Sequence, residues 1–219
     1  PAYINNTIFL GASSSTGASA MHAFESQTGT DCWGPAGIQI TGSVDATPVI
    51  TEDLTLYFTA SNGYLYAVDV SGDLTQTPKI AWQLDVMGLT AGTSKKVYAN
   101  LLSANGDQIY MVTEAGIYAV NLGGWFTPAS VLWKTDTSLA FNSSDTILNG
   151  NLLIAISGDS IYGYDTNATP NAGVLADLWI YTSNNTIYNL FNIDNINLLL
   201  GDSSGAFHIV IQATGHQET

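Results

Sequence analysis

The sequence predicts an all-β protein built from a repeated unit of four antiparallel strands. Short runs rich in Tyr, Ile, Val and Leu alternate along the chain with turns rich in Gly, Asn and Asp, and helical periodicity is nearly absent. A Trp follows each group of strands at intervals of about 50 residues, a period typical of four-stranded propeller blades. These residues are Trp33, Trp82, Trp133 and Trp179.

The second repeat contains all four predicted strands. An inner strand begins at Thr47, shortly after Asp45, and a second strand covers residues 56–61. A tight turn at Asn62-Gly63 leads to a third strand, and the outer strand opens near Trp82. Similar third strands recur at residues 20–25, 116–121, 160–165 and 205–210. The sequence therefore predicts five copies of one unit, which together form a β-propeller.

The copies carry a motif that resembles a known family. Residues Ala23 to Trp33 match the spacing Ala-x-Asp-x-x-Thr-Gly-x-x-x-Trp of pyrroloquinoline-quinone-like (PQQ-like) propellers, with Glu25 in place of Asp. Ala67-Val68-Asp69 matches the start of this motif, and Ala213-Thr214-Gly215 matches its end. The resemblance covers essentially the whole chain. It implies that each motif Trp stacks between neighbouring blades while its turn covers the edge of a blade.

The repeats define one β-propeller domain of about four and a half blades. We expect the blades at approximately 1–40, 43–88, 97–138, 143–184 and 187–219. Residues 3–10 match a second strand, so the first blade is expected to lack its inner strand, and the last is expected to lack its outer strand. Since propellers of this family commonly have eight blades, the expectation is a piece of a larger ring, completed by further blades or by a second chain. A closed ring of five blades is the alternative.

The charge balance excludes two classes of partner. Eighteen acidic residues stand against four basic ones, all of them Lys, and the net charge is −14. Binding of nucleic acid requires Lys and Arg to neutralise phosphates, and docking on anionic lipid requires them as well. No apolar run approaches the roughly 20 residues of a membrane helix. We therefore expect neither nucleic-acid binding nor membrane insertion.

Several features favour a location outside the cytoplasm. The surface must be built largely from Ser, Thr, Asn, Gln and Gly, which suits a secreted or periplasmic protein, either of an acidophile or of the ordinary acidic kind. Four N-glycosylation sequons make the chain a glycoprotein candidate, and they begin at Asn5, Asn142, Asn167 and Asn184. Cys32 is the single cysteine, so no internal disulfide is expected. The start at Pro1, without Met, suggests a processed or partial chain.

Candidate site residues precede the predicted inner strands, which begin at the mouth of a propeller channel. Asp45 precedes the inner strand of the second blade, and Asp194 is expected to play the same part in the fifth. A carboxylate in a confined channel can have a raised pKa and act as a general acid or base, or it can simply satisfy turn amides. Lys95 and Lys96, the only cationic pair, precede Val97 and either attract an anionic substrate or lie in solvent.

Other residues are interpreted as structural. His22 and His208 occupy equivalent positions in their third strands, and we expect them to pack rather than to bind a metal. The sequence contains no His, Cys and Asp spacing typical of a metal site. Trp125 lies outside the repeat register, in an insertion, and is expected to pack at the surface.

The resemblance implies three functional alternatives. A quinone-dependent dehydrogenase is disfavoured because the family's adjacent Cys pair is missing, so neither quinone nor calcium is expected as a cofactor. A cofactor-free hydrolase similar to tetrathionate hydrolase would use Asp45 or Asp194 as the acid, with Lys95 and Lys96 holding the anion. A non-catalytic scaffold, similar to the outer-membrane assembly scaffold with PQQ-like repeats, would bind a protein partner through rim loops. The absence of a recognisable catalytic motif favours the scaffold, although fold alone does not decide function.

Overall fold

The computed structural model describes residues 1–13, 18–103, 105–123, 128–136, 138–142 and 145–217. Within these ranges the chain forms nineteen strands in five sheets and no helix. The described residues accordingly contain no helical segment with the length and apolarity needed to cross a membrane. The chain divides into two compact units, residues 1–109 with 121–130 and residues 110–120 with 131–219.

The first two sheets belong to the first unit. The first sheet comprises, in spatial and chain order, β1 (Ala2–Ile4), β2 (Thr7–Ser13), β3 (Ala18–Glu25) and β4 (Ile38–Thr41). The second sheet comprises β5 (Val49–Ile50), β6 (Thr55–Thr59), β7 (Tyr64–Asp69) and β8 (Ile80–Asp85) in the same order. Neighbouring strands run antiparallel. The two repeats share one hydrophobic core, in which Phe9, Met21 and Trp33 pack with Leu56 and Phe58.

The third sheet has the order β12-β11-β10-β9, made of β9 (Val97–Leu102), β10 (Gln108–Thr113), β11 (Gly116–Asn121) and β12 (Ser130–Lys134). Its inner strand packs on the second sheet within the first unit. The Thr59 hydroxyl donates a hydrogen bond to the Asn100 side-chain oxygen at 3.0 Å, and the Asn100 side-chain NH₂ donates to the Thr47 carbonyl at 3.1 Å. Side chains alternate between the two faces of a strand. Thr59 and every second residue of β6 therefore face β9, and the remaining residues of β6 face the first sheet.

The fourth and fifth sheets belong to the second unit. The fourth comprises β13 (Thr146–Asn149), β14 (Leu152–Ser157), β15 (Ser160–Asp165) and β16 (Trp179–Thr182) in order. The fifth comprises β17 (Ile187–Asn192), β18 (Asn197–Asp202) and β19 (Phe207–Ile211). Ile154 and Ile156 of β14 share a core with Leu198 and Leu200 of β18. One face of the fifth sheet therefore covers the fourth.

Repeat contacts within the second unit close strand edges, as the resemblance implies. The Lys134 amide donates a hydrogen bond to the Gly173 carbonyl at 3.0 Å, and the Leu175 amide donates to the Lys134 carbonyl at 2.8 Å. A segment of the following repeat thus pairs with the edge of β12, which would otherwise expose unpaired backbone groups. A Cβ on Gly215 would lie 2.5 Å from Cε3 of Trp179, so this motif glycine packs directly on the indole.

The strand layout corrects two expectations. The prediction that the first blade lacks its inner strand is wrong, because Ala2–Ile4 forms that strand and pairs with β2. The connecting residues, Asn5 and Asn6, have φ values of 47° and 60°, which are tolerated by Asn and produce a two-residue hairpin turn. The inner strand of the second repeat begins at Val49, not at Thr47. The fifth sheet has three strands in the described ranges. This is the number expected if the last blade lacks its outer strand.

Candidate functional site

Asp45 lies exposed in the loop that leads to β5. Its carboxylate accepts a hydrogen bond from the Ser43 hydroxyl at 2.6 Å. The Ser43 amide donates to the Ser61 hydroxyl at 2.9 Å, and the Ser61 amide donates to the Ser43 carbonyl at 2.9 Å. The Lys95 amide donates to the Ser61 carbonyl at 2.8 Å. The structure therefore brings the loop of Asp45 and the backbone of Lys95 to the same turn.

Lys96 precedes β9, as expected, and its ammonium lies over an aromatic ring. The Lys96 Nζ is 5.0 Å from the ring centroid of Tyr98, a separation at which the ring quadrupole attracts the cation. Lys95 is half-buried and Lys96 is exposed. Binding of an anion by this pair stays a prediction.

Asp194 does not precede an inner strand. It lies in the turn between β17 and β18, where its Oδ1 accepts hydrogen bonds from the amides of Ile196 and Asn197, both at 2.7 Å. Its Oδ2 accepts from the Asn197 side chain at 3.2 Å. The backbone hydrogen bonds from Ile196 and Asn197 lower the pKa of Asp194, which is the direction opposite to the raised pKa required of a general acid. The arrangement matches the alternative in which the carboxylate satisfies turn amides.

His22 and His208 each pair with an aspartate. Nδ1 of His22 lies 2.9 Å from an oxygen of Asp31, and Nε2 of His208 lies 2.9 Å from an oxygen of Asp202. The Tyr181 hydroxyl lies 2.9 Å from Nδ1 of His208, which completes a chain of three side chains. Local sequence patterns do not indicate these partners, because strand pairing and a turn bring them together.

The Asp202–His208–Tyr181 chain lacks the properties of an activated nucleophile. Hydrogen bonds from the Ser204 hydroxyl, and then from His208, lower the pKa of the buried Asp202 carboxyl. Burial, followed by the negative charge of Asp202, raises the pKa of the Tyr181 hydroxyl. The phenol is thereby held in its protonated form, which suits a structural network.

Some predicted residues give no site. Trp125 lies outside the described residues. Across the described ranges, no group of three or more His, Cys, Asp and Glu side chains is arranged to hold a metal ion. Cys32 is a half-buried thiol.

A cleft that the sequence analysis missed lies in the first unit, at the other end of β5 from Asp45. Its volume is about 860 Å³, within the range of roughly 300–1,000 Å³ usual for ligand sites. The walls come from the β5–β6 turn, the start of β8, the β9–β10 turn and the residues that follow β11. Its chemically distinctive residues are Glu52, Asp53, Tyr57, Asp69, Trp82 and Asp107.

Two aromatic rings form one wall of the cleft. Tyr57 and Trp82 both pair with Ala67, which stands between them in the second sheet. Because Ala67 carries only a methyl group, the rings meet across it, with centroids 5.7 Å apart and planes tilted by 54°. Burial is the main cause that raises the pKa of the Tyr57 hydroxyl, and the charge of Asp53 adds to it. The wall is therefore neutral and aromatic.

Trp82 is the half-buried exception among the repeat tryptophans. The other three, Trp33, Trp133 and Trp179, are at most 8% exposed. A bulge accompanies the difference: Ala67 pairs with Trp82, but Val68 pairs with Ile80, so Ala81 is left without a partner. The signal in the sequence is the insertion that separates the start of this motif from its Trp.

The β5–β6 turn supplies two of the four carboxylates. Asp53 Oδ1 accepts hydrogen bonds from the Thr51 hydroxyl and from the Thr55 amide, the latter at 3.3 Å. Leu54 has a φ of 62°, an uncommon value for a branched residue, and its carbonyl accepts the Val70 amide at 2.9 Å. This tight turn holds the neighbouring carboxylates at the cleft.

The other two carboxylates are held by their own turns. Asp107 accepts hydrogen bonds from the Ser103 hydroxyl at 3.0 Å and from the Asn105 side-chain amide at 2.9 Å. Asp69 accepts the Ser71 hydroxyl at 2.6 Å and the Ser71 amide at 2.9 Å, and these bonds lower the pKa of Asp69. The cleft is thus rimmed by oriented acidic groups, and no Lys or Arg of the described chain lines it.

A second surface feature is the open face of the fifth sheet. Phe191 and Ile209 both pair with Leu199, so the three apolar residues form a row across the strands. Phe207, which pairs with Gly201 beside this row, is 74% exposed, and Phe191 is 55% exposed. We call Phe191, Leu199, Phe207 and Ile209 the open face.

Repeated antiparallel sheets of four strands, with no helix among the described residues, place the chain in the all-β class, with the β-propeller fold. It is similar to BamB from Moraxella catarrhalis, with 15% identity and a TM-score of 0.68 over 98% of this chain and 60% of BamB. It is also similar to the computationally designed Ika8 protein, with 15% identity and a TM-score of 0.67 over 99% of this chain and 58% of Ika8. The chain thus spans 60% or less of the length of these structures. No protein-family model and no curated protein matches the sequence.

Proposed function

We propose that the chain is a non-catalytic binding scaffold of the PQQ-like repeat type that works in the extracellular space or the periplasm. The β-propeller fold supports a scaffold, and the motif resemblance supports the repeat type. The observation that carries the proposal is the open face, because large exposed apolar patches on soluble domains mark interaction sites. The proposal includes neither quinone nor calcium, since the family's adjacent Cys pair is absent from the sequence.

The open face fits another sheet of the blade type. On the opposite side of the same sheet, Leu198 and Leu200 cover Ile154 and Ile156 of β14. The open row has the same alternation and apolar character, so a further blade would bury it in the same manner. Such a blade would come from the rest of the protein or from a second chain that completes the ring.

Hydroxyl-radical labelling tests this proposal. The native protein, isolated from its source, is compared with chain 1–219 alone, and oxidation is read at Phe191 and Phe207. We expect labelling in the native form to fall severalfold towards the level of Phe141, which is fully buried. The intact mass of the native form then distinguishes a second chain, which supports the scaffold, from further blades of one polypeptide, which would remove the open face as an interaction site. Equal labelling of both phenylalanines in the two forms would overturn the assignment of a further blade to the open face.

The tetrathionate hydrolase-like alternative has less support. Asp194 is held by three hydrogen bonds from its own turn, and its pKa is lowered. Asp45 is an exposed residue bound to Ser43. Both carboxylates are exposed, and no observation favours this alternative over the scaffold.

A further inference from the structure

The cleft of the first unit has the form of a binding site. It combines a concave volume of about 860 Å³ with the aromatic pair of Tyr57 and Trp82. Trp82 differs from the other repeat tryptophans because it is half-buried at a cleft wall and does not lie in a closed core. Aromatic side chains at such positions bury large areas when a partner binds, and they are enriched in binding hot spots.

The charge of the cleft selects the ligand. Glu52, Asp53, Asp69 and Asp107 contribute carboxylates to the lining. An anion would be repelled there, whereas an ammonium or guanidinium group can bind the carboxylates and the face of the indole together. The net charge of −14 also attracts a cationic partner at long range.

We propose that this cleft binds a Lys- or Arg-bearing peptide segment of a protein partner, with a cationic side chain between Trp82 and the carboxylate of Glu52. The inference rests on the proposed scaffold function and names the chemistry of one partner. An extended segment suits the open shape of the site, because the four carboxylates come from the β5–β6 turn, the end of β7 and the β9–β10 turn. The aromatic wall of Tyr57 and Trp82 gives the aliphatic stem of a Lys or Arg side chain an apolar surface to contact.

The test measures binding of fluorescein-labelled pentalysine to the full chain at low ionic strength, by fluorescence anisotropy. Pentalysine with acetylated side chains serves as the neutral probe.

Trp82→Leu is expected to weaken binding about five- to tenfold through loss of the cation–π contact. Glu52→Gln, an exposed substitution that leaves the fold intact, is expected to weaken it about two- to fivefold. Asp177→Asn removes the same charge from an exposed position outside the cleft and is expected to bind like the unmodified chain.

Three results would overturn the inference: no binding of pentalysine, equal binding of the acetylated probe, or equal weakening by Asp177→Asn and Glu52→Gln. The last result would assign the binding to net charge alone. These outcomes leave the scaffold proposal unaffected, because the labelling of the open face tests that proposal in a different unit.

Discussion

Trp179 in the second unit and Trp82 in the first occupy the same position of the repeat, but their surroundings differ. Trp179 pairs with Gly163, contacts Gly215 of the next motif and is buried. Trp82 pairs with Ala67, lies beside a bulge and borders the cleft. Trp179 is therefore structural, with two glycines packed on its indole, whereas Trp82 becomes part of a surface where the register is interrupted.

The largest difference is expected when each indole is removed. Trp179→Ala should lower the free energy of unfolding by about 3–5 kcal/mol, because it leaves a cavity in a closed core. Trp82→Ala should cost about 1–2 kcal/mol, because its indole is already partly hydrated. Urea unfolding of the two variants and the unmodified chain measures both values. Equal losses would show that the two tryptophans do not differ in role.

Gly163, which pairs with Trp179, allows the packing around that indole to be tested without changing the tryptophan. A Cβ at Gly163 would overlap the indole of Trp179, so Gly163→Ala is expected to destabilise the chain by about 1–3 kcal/mol through overpacking. Gly72→Ala is the matched control, because a Cβ there meets no atom within 4 Å. The midpoints of thermal unfolding give the comparison. A shift for Gly72→Ala as large as that for Gly163→Ala would contradict the close packing at Trp179.

The smallest expected effect is on the stability of the fold in acid. Asp202 and Asp69 both have a pKa below the ordinary value of about 3.9, because hydrogen bonds from Ser204 and Ser71 respectively favour the charged form. The stabilisation is fully present above that value and is lost as the pH falls below it. Since Asp202 is buried and Asp69 is exposed, Asp202→Asn should flatten the acid loss of stability more than Asp69→Asn.

Unfolding midpoints of both variants between pH 6 and pH 2 check this order. A profile of Asp202→Asn parallel to that of the unmodified chain would contradict the lowered pKa of Asp202.

The repeat itself could be predicted from the sequence, because strand alternation and the Trp spacing are local signals. β9 begins at Val97, directly after the Lys pair, as the pattern indicates. The hairpin at Asn5-Asn6 was missed, because a three-residue strand leaves too few positions for alternation to be recognised.

The candidate site was the less predictable part. Asp194 was assigned to the wrong end of its strand, because the inner strand β17 precedes it. The cleft depends on a bulge at Ala81 and on the β9–β10 turn of the next repeat, which are brought together by sheet packing and not by spacing along the chain. The insertion before Trp82 is a local sign of the bulge at Ala81, but no local pattern indicates that the β9–β10 turn lies at the cleft.

Fluorine NMR of the full chain labelled with 5-fluorotryptophan tests the central comparison most directly. The chain contains five tryptophans, and Trp82→Phe and Trp179→Phe assign the two signals that matter. On addition of pentalysine, we predict that the Trp82 signal shifts in a saturable manner while the Trp179 signal stays in place. A shift at Trp179 without one at Trp82, or no shift at either residue, would contradict the account.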